Sequence, residues 1–172
     1  MEAHKHSTDR AEQGERDADR TGVLAFALQI GLFAGLIWGA VKVAGAYFKF
    51  TKVPLSFMAK PFFAPSFLNT TAGFWMGWLS FIVFSIAASL LYAVLFRKVR
   101  GHWAGIVYGI AWWALIVLLV GPLTGMMKWI YRYDWNTIIT DFCLFLIWGL
   151  FIGFSISFEF TDEREREPSR PA

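Results

Sequence analysis

Four long apolar stretches alternate along the chain with three shorter, more polar connections and are flanked by two charged tails. The first stretch runs from about Val23 to Tyr47, and Val23 to Val41 carries no charge. The others run from about Phe74 to Phe96, Trp103 to Val120 and Ile138 to Phe160. Helical geometry advances about 1.5 Å per residue, so each approaches the roughly 20 residues needed to cross a hydrocarbon layer near 30 Å thick. Thr21 and Asn136 are candidate caps for the first and fourth spans. Gly121-Pro122 is expected to end or kink the third, because proline brings no backbone donor. The pattern predicts an all-α polytopic membrane protein, a bundle of four transmembrane helices.

Small residues recur within these stretches at helical spacing. Gly31, Gly35 and Gly39 mark the first span, and Gly101, Gly105 and Gly109 the start of the third. Gly73 and Gly77 lead into Ser85 and Ser89 on the second, while Gly149, Gly153 and Ser157 line the fourth. A four-residue repeat keeps them on one slowly drifting face, where neighbouring backbones approach closely. The expectation is that these stripes are helix-packing seams, with a contact to a second copy or to another membrane protein compatible with it.

The polar segments complete the layout. Residues 1–22 are expected to be a disordered tail, because their mixed charge and scarcity of aromatic or β-branched residues leave little apolar surface to bury. A cleaved signal peptide fits poorly, since the apolar run starts late and is long. Residues 23–160 form the membrane domain and 161–172 a second charged tail. The first connection, from about Phe48 to Gly73, spaces Pro54, Pro61 and Pro65 among Phe57, Met58, Phe62, Phe63 and Phe67, which forbids a continuous helix. The favoured reading is an interfacial segment with rings at headgroup depth, and the alternative is a re-entrant loop sheltered by protein. Asn69-Thr70-Thr71 matches a glycosylation acceptor, but a helix N-cap explains it better.

Composition agrees with a lipid solvent: 56% of the 172 residues are hydrophobic and 17% charged, against about 25% charged in soluble domains. The net charge of +3 is uneven, since both tails are net acidic and the body is basic. An even number of spans puts both tails on one side, together with the Arg97, Lys98 and Arg100 cluster. That side holds ten Lys/Arg and the other five, so both termini are expected to face the cytoplasm, in a cell membrane. The basic balance is therefore a topology signal, and no basic patch interleaved with stacking aromatics indicates nucleic acid. The lone Cys143 lies in the fourth stretch, where it serves as an apolar filler without a disulfide partner.

Candidate chemistry is sparse. Lys42 lies near one end of the first span, and Asp141 in the first turns of the fourth, on the same side of the membrane. A pair would neutralise both charges at low dielectric and could mark a polar entry. The reading given more weight is that Lys42 snorkels to the interface and Asp141 favours its helix N-terminus independently. Glu159 ends the fourth span on the side of Arg97 and Arg100. His4 and His6 lack fixed partners for a metal, and His102 reads as interfacial. Trp75, Trp78, Trp103, Trp129 and Trp135 sit near helix ends as an aromatic belt requires, while Trp38, Trp112, Trp113 and Trp148 are more central and pack or face lipid. No catalytic residue, cofactor site, metal site or small-molecule ligand is identifiable. The expected partners are the lipid bilayer and itself or another membrane protein, not nucleic acid.

Asn136 to Thr140, leading into Gly149 to Glu159, together with Trp103 to Gly109, resembles the YqhR-type conserved membrane proteins of Bacillus-like bacteria. The resemblance implies a multi-pass cell-membrane protein in a family without an established biochemical function, and it carries over no catalytic residue. Two readings follow for activity. The favoured one is a non-enzymatic interaction or assembly partner packing through its glycine seams. The rival is a small oligomeric transport or permeation protein using Lys42 and Asp141 beside the irregular first connection.

Overall fold

The computed structural model describes the backbone of residues 2–96 and 103–166, and the side chains of 22–96 and 103–158. Four long helices carry the described fold: α1 (Glu2–Tyr47), α2 (Thr71–Leu95), α3 (starting as Trp103–Ala114) and α4 (Trp135–Arg166). The segments Gly22–Tyr47, Thr71–Leu95, Trp103–Leu123 and Trp135–Phe158 are each long and apolar enough to cross a membrane. No strand occurs among the described residues. The chain is thus an all-α membrane protein with four spans. One end of the bundle, the tail end, holds Phe96 and Trp103; the other, the loop end, holds the first and third connections.

Helix boundaries depart from the sequence reading in specific places. The backbone of α1 is helical from Glu2, where a disordered tail was expected, and it runs through Thr21, which is therefore not at a helix start. Ala, Glu, Gln and Arg in this segment are good helix formers, and continuity with a long apolar helix removes the cost of a new nucleus. At the far end α4 likewise continues to Arg166. The fourth helix starts one residue before Asn136, so the cap position falls on Asp134, whose carbonyl accepts from Ile138 N–H at 3.2 Å. Thr70 does cap α2, accepting from Gly73 N–H at 3.2 Å.

The third span does not stop at Gly121-Pro122. A π-helical stretch, Leu115–Val120, follows Ala114 and leads into a last α-turn, Gly121–Leu123. The Gly121 N–H pairs with the Ile116 carbonyl five residues back. This wider register re-pairs the backbone just before the proline, whose ring and missing donor would break an α ladder. The helix closes after Leu123, with Gly125 at a φ of 72°.

The helices form two zipped pairs, α1 with α2 and α3 with α4. Each glycine of a seam lies where a Cβ would run into the partner. At Gly31 it would approach the Ile86 Cα to 2.6 Å, and at Gly35 the Ile82 Cα to 2.6 Å. At Gly39 it would meet the Trp78 indole ring. In the other pair the glycines face each other, Gly109 against Gly149 and Gly105 against Gly153, with backbone on backbone. Without a water-driven hydrophobic effect in lipid, such close approach supplies dispersion over a long line of contact.

The first connection fills the loop end. Between Pro54 and Pro61, a 3₁₀ turn at Leu55–Ala59 buries Leu55, Phe57, Met58 and Ala59. A Cβ on Gly77 would lie 2.5 Å from the Ser56 Cα, so this glycine makes room for the connection rather than for a helix. Gly73 likewise faces the one-turn helix Pro65–Leu68. Gly77 lies six residues into α2, so the turn dips about 9 Å below the helix start. The irregular backbone of this turn is sheltered by protein. The flanking Tyr47, Phe48, Phe50 and Phe62 remain exposed.

Candidate functional site at the loop end

Lys42 and Asp141 meet. The Lys42 ammonium donates to an Asp141 carboxylate oxygen at 2.8 Å, with side chains only 1% and 5% exposed. Lys42 stands five residues before the end of α1 and Asp141 six after the start of α4, which places the pair about 8–9 Å below the helix ends. The reading of two independent charges, one snorkelling and one at a helix terminus, gives way to a direct tie between α1 and α4. Spacing along either helix could not reveal it, because the partners lie 99 residues apart. The Phe57 ring completes the enclosure, its centroid 5.3 Å from the Lys42 Nζ, where the aromatic face adds cation–π attraction. The four spans hold one cation and one anion of the Asp/Glu/Lys/Arg types, and these two are bonded to each other.

Further polar ties follow the boundary between the two pairs. At the helix ends Lys52 Nζ lies 3.0 Å from Asp134. The Lys52 backbone N–H also donates to Thr137 Oγ1 at 3.2 Å, and Thr137 in turn donates to Asp134. The Lys52 contact, with further hydrogen bonds at the helix start, holds the exposed Asp134 carboxyl below its ordinary value of 3.8. Mid-bundle, the buried Trp148 indole N–H donates to Ser85 Oγ at 3.2 Å, joining α4 to α2. Nearer the tail end, Tyr108 donates to the Ala88 carbonyl at 2.6 Å, joining α3 to α2. Ser89 instead reinforces a seam, donating to the Ala27 carbonyl of α1 at 2.6 Å.

Rings fill the space around these bonds. Trp148 stacks on Phe84 with centroids 5.4 Å apart, and Trp112 meets Phe84 edge-on at 4.9 Å. Sequence reasoning placed Trp148 centrally but missed its role. The available signal was Ser85, a hydroxyl in mid-span that needs an internal partner.

The remaining expected residues divide cleanly. Gly31, Gly35, Gly39, Gly105, Gly109, Gly149 and Gly153 lie in the helix seams, and Gly73 and Gly77 under the first connection. Ser157 is half-buried on α4. Arg97, Lys98, Arg100, Gly101 and His102 lie outside the described residues, as do the side chains of Glu159, His4 and His6. Among the described residues no group of three or more His, Cys, Asp or Glu could hold a metal ion.

Beside the Lys42–Asp141 pair a groove of about 460 Å³ opens between α1 and α4. Trp38, Val41, Phe48, Ile139, Leu144 and Ile147 line it, with Cys143 on its wall.

Comparison with known proteins matches residues 6–170 to a family described as conserved membrane protein YqhR. The chain belongs to that family. A relative from Bacillus subtilis (strain 168), named "Uncharacterized protein YqhR", is 26% identical over 170 residues, covering 99% of this chain and 96% of its own length. No solved structure matches. Membership agrees with the four spans, and the match runs through both helix pairs and both faces of the Lys42–Asp141 tie.

Proposed function

We propose that this chain is a non-enzymatic membrane protein that acts as an assembly partner, a pre-locked bundle presenting its outer surface and charged tails to other membrane components. One observation carries the reading: the only oppositely charged groups within the spans are spent on each other. A catalytic acid or base must be free to exchange a proton, and a carrier site must be free to exchange a solute. A sealed pair instead fixes helix register, the best-attested use of buried ion pairs.

The glycine stripes support assembly in a narrower sense than the sequence suggested. Their open faces are taken by helices and the first connection of the same chain. Contacts with a second copy or another protein therefore fall to the outward faces and the tails. With the Lys/Arg excess on the tail side, both termini face the cytoplasm in this reading.

The test compares Lys42→Met, Asp141→Leu and the double variant in reconstituted vesicles and in detergent. The locking reading expects the single variants to lower thermal stability and the double variant to recover most of it, with no change in solute permeability. A solute flux present in the wild type and abolished by the double variant would favour the transport alternative. Affinity capture from the native membrane with the intact chain then identifies the partner, and recovery of the chain alone would contradict the assembly role.

A further inference from the structure

The groove beside the Lys42–Asp141 tie has features that neither the fold nor the locking role requires. It runs along α1 from Trp38 to Phe48 and along α4 from Ile139 to Ile147. Ten residues of helix make about 15 Å, half the roughly 30 Å hydrocarbon layer. The groove is therefore one leaflet deep and opens toward lipid at the loop end. Its lining is apolar apart from two threonine side chains and Lys42, whose ammonium is already engaged with Asp141.

At its mouth the chain makes an unusual choice. Lys49 sits between the groove-lining Phe48 and Phe50, exposed and at a φ of 60°. Phe50 N–H bonds back to the Gly45 carbonyl at 2.8 Å and Lys49 N–H to the Ala46 carbonyl at 3.1 Å, a Schellman-like closure of α1. Glycine is the usual occupant of this left-handed position, because a side chain there is strained. Here the chain instead carries an exposed cation in the turn between two groove-lining rings. The charge of the loop end points the same way. Lys49, Lys52, Lys60, Lys128 and Arg132 stand against Asp134, and Asp134 is already paired with Lys52.

We infer that this groove binds one anionic glycerophospholipid of the surrounding leaflet, with an acyl chain between α1 and α4 and the phosphate at Lys49. An apolar channel one leaflet deep selects a hydrocarbon chain, and an unpaired cation at its mouth selects a phosphodiester bearing net negative charge over a zwitterion. The inference does not depend on the assembly reading, since the groove and its mouth lie on the lipid-facing side of the locked bundle.

The experiment uses the full chain, purified from membranes and reconstituted with equal amounts of phosphatidylglycerol and phosphatidylcholine. Retained lipid is then counted by native mass spectrometry. The wild type should keep one phosphatidylglycerol in preference to phosphatidylcholine. Lys49→Gly should lower that preference about fivefold, the weight of one basic residue at an anionic surface. Because glycine suits the left-handed backbone, this variant should keep or raise thermal stability, which separates lost binding from misfolding. Ala44→Trp, at an exposed groove position, should displace lipid of both kinds. Equal retention of the two lipids by the wild type, unchanged preference in Lys49→Gly, or a lipid-free dimer that Ala44→Trp disrupts would each overturn the inference.

Discussion

At Gly109 and Gly149 two helix backbones meet with no side chain between them, whereas at Lys42 and Asp141 two helices are joined by a lysine that reaches across to a carboxylate. The first kind of contact operates inside the α1–α2 and α3–α4 pairs, and the second ties one pair to the other. The difference has a physical origin. Lipid provides no hydrophobic drive between helices, so a seam gains its stability by bringing many atoms within dispersion range, which only small residues allow over several turns. A boundary between two preformed pairs cannot be so close everywhere. It is filled by rings such as Phe84, Trp112 and Trp148, and polar atoms among them must be bonded or they cost several kcal/mol in hydrocarbon. Seams thus give proximity, and polar ties give register.

Substitutions that respect this division should separate the two contacts. The largest effect is expected in the seams. At Gly149 a Cβ would meet the backbone of Gly109, which has no flexible end to move aside. Gly149→Leu should therefore cost upwards of about 3 kcal/mol or abolish folding, beyond the usual cost of overpacking, as read by thermal denaturation in detergent. At Gly45 a Cβ would meet only Thr51 and Thr140 methyls at 3.7 and 3.9 Å. Gly45→Ala should be neutral or stabilising by up to about 1 kcal/mol, from helix propensity alone. Equal losses at the two positions would erase the distinction between seam and non-seam glycine.

Breaking one half of the buried pair should come next. Asp141→Asn is expected to cost about 3 kcal/mol, because it strands the Lys42 ammonium, and thermal stability in nanodiscs checks it. A smaller loss, about 1–2 kcal/mol, is expected for Ser85→Ala, which orphans the Trp148 indole N–H. The smallest concerns Asp134. Its carboxyl ionises at lower pH when folded than when unfolded, so whatever it contributes is complete above its ordinary value of 3.8 and fades only as pH falls through the lower folded value. Asp134→Asn should therefore lower stability only slightly near neutrality, where the contribution is complete but screened by solvent. The difference between variant and wild type should shrink further in acid, and a loss that grows in acid would contradict the assignment.

The same division explains what could be read from the chain alone. Helical spacing of glycines is a local signal, so Gly31, Gly35 and Gly39 announced a seam before its partner was known. The stripe on α2 divides: Ser85 and Ser89 lie against α1, but Gly73 and Gly77 make room for the first connection. Nothing in a one-dimensional pattern distinguishes a helix from a 3₁₀ turn as the body a glycine accommodates. Ties between distant helices carry no such periodicity. Lys42 and Asp141 were visible as candidates because charges are rare in spans, yet their meeting depends on which pair packs against which. Pro122 is a related case: the helix ends one residue past it, near where the proline is expected to end or kink it, but the π-helical stretch before it is a choice of hydrogen-bond register without a sequence signature.

The most direct measurement of the account is a double-mutant cycle on Lys42→Met and Asp141→Leu, with unfolding free energies taken in one nanodisc composition. A tie between the two pairs predicts that each single substitution destabilises by several kcal/mol, about 3–5 on the precedent of buried pairs. It also predicts that the double variant lies within about 1 kcal/mol of wild type, because the apolar replacements leave neither charge stranded. A double variant that loses the sum of the two single effects would show that the residues act separately, and would contradict the picture of two glycine-zipped pairs clasped by a buried charge.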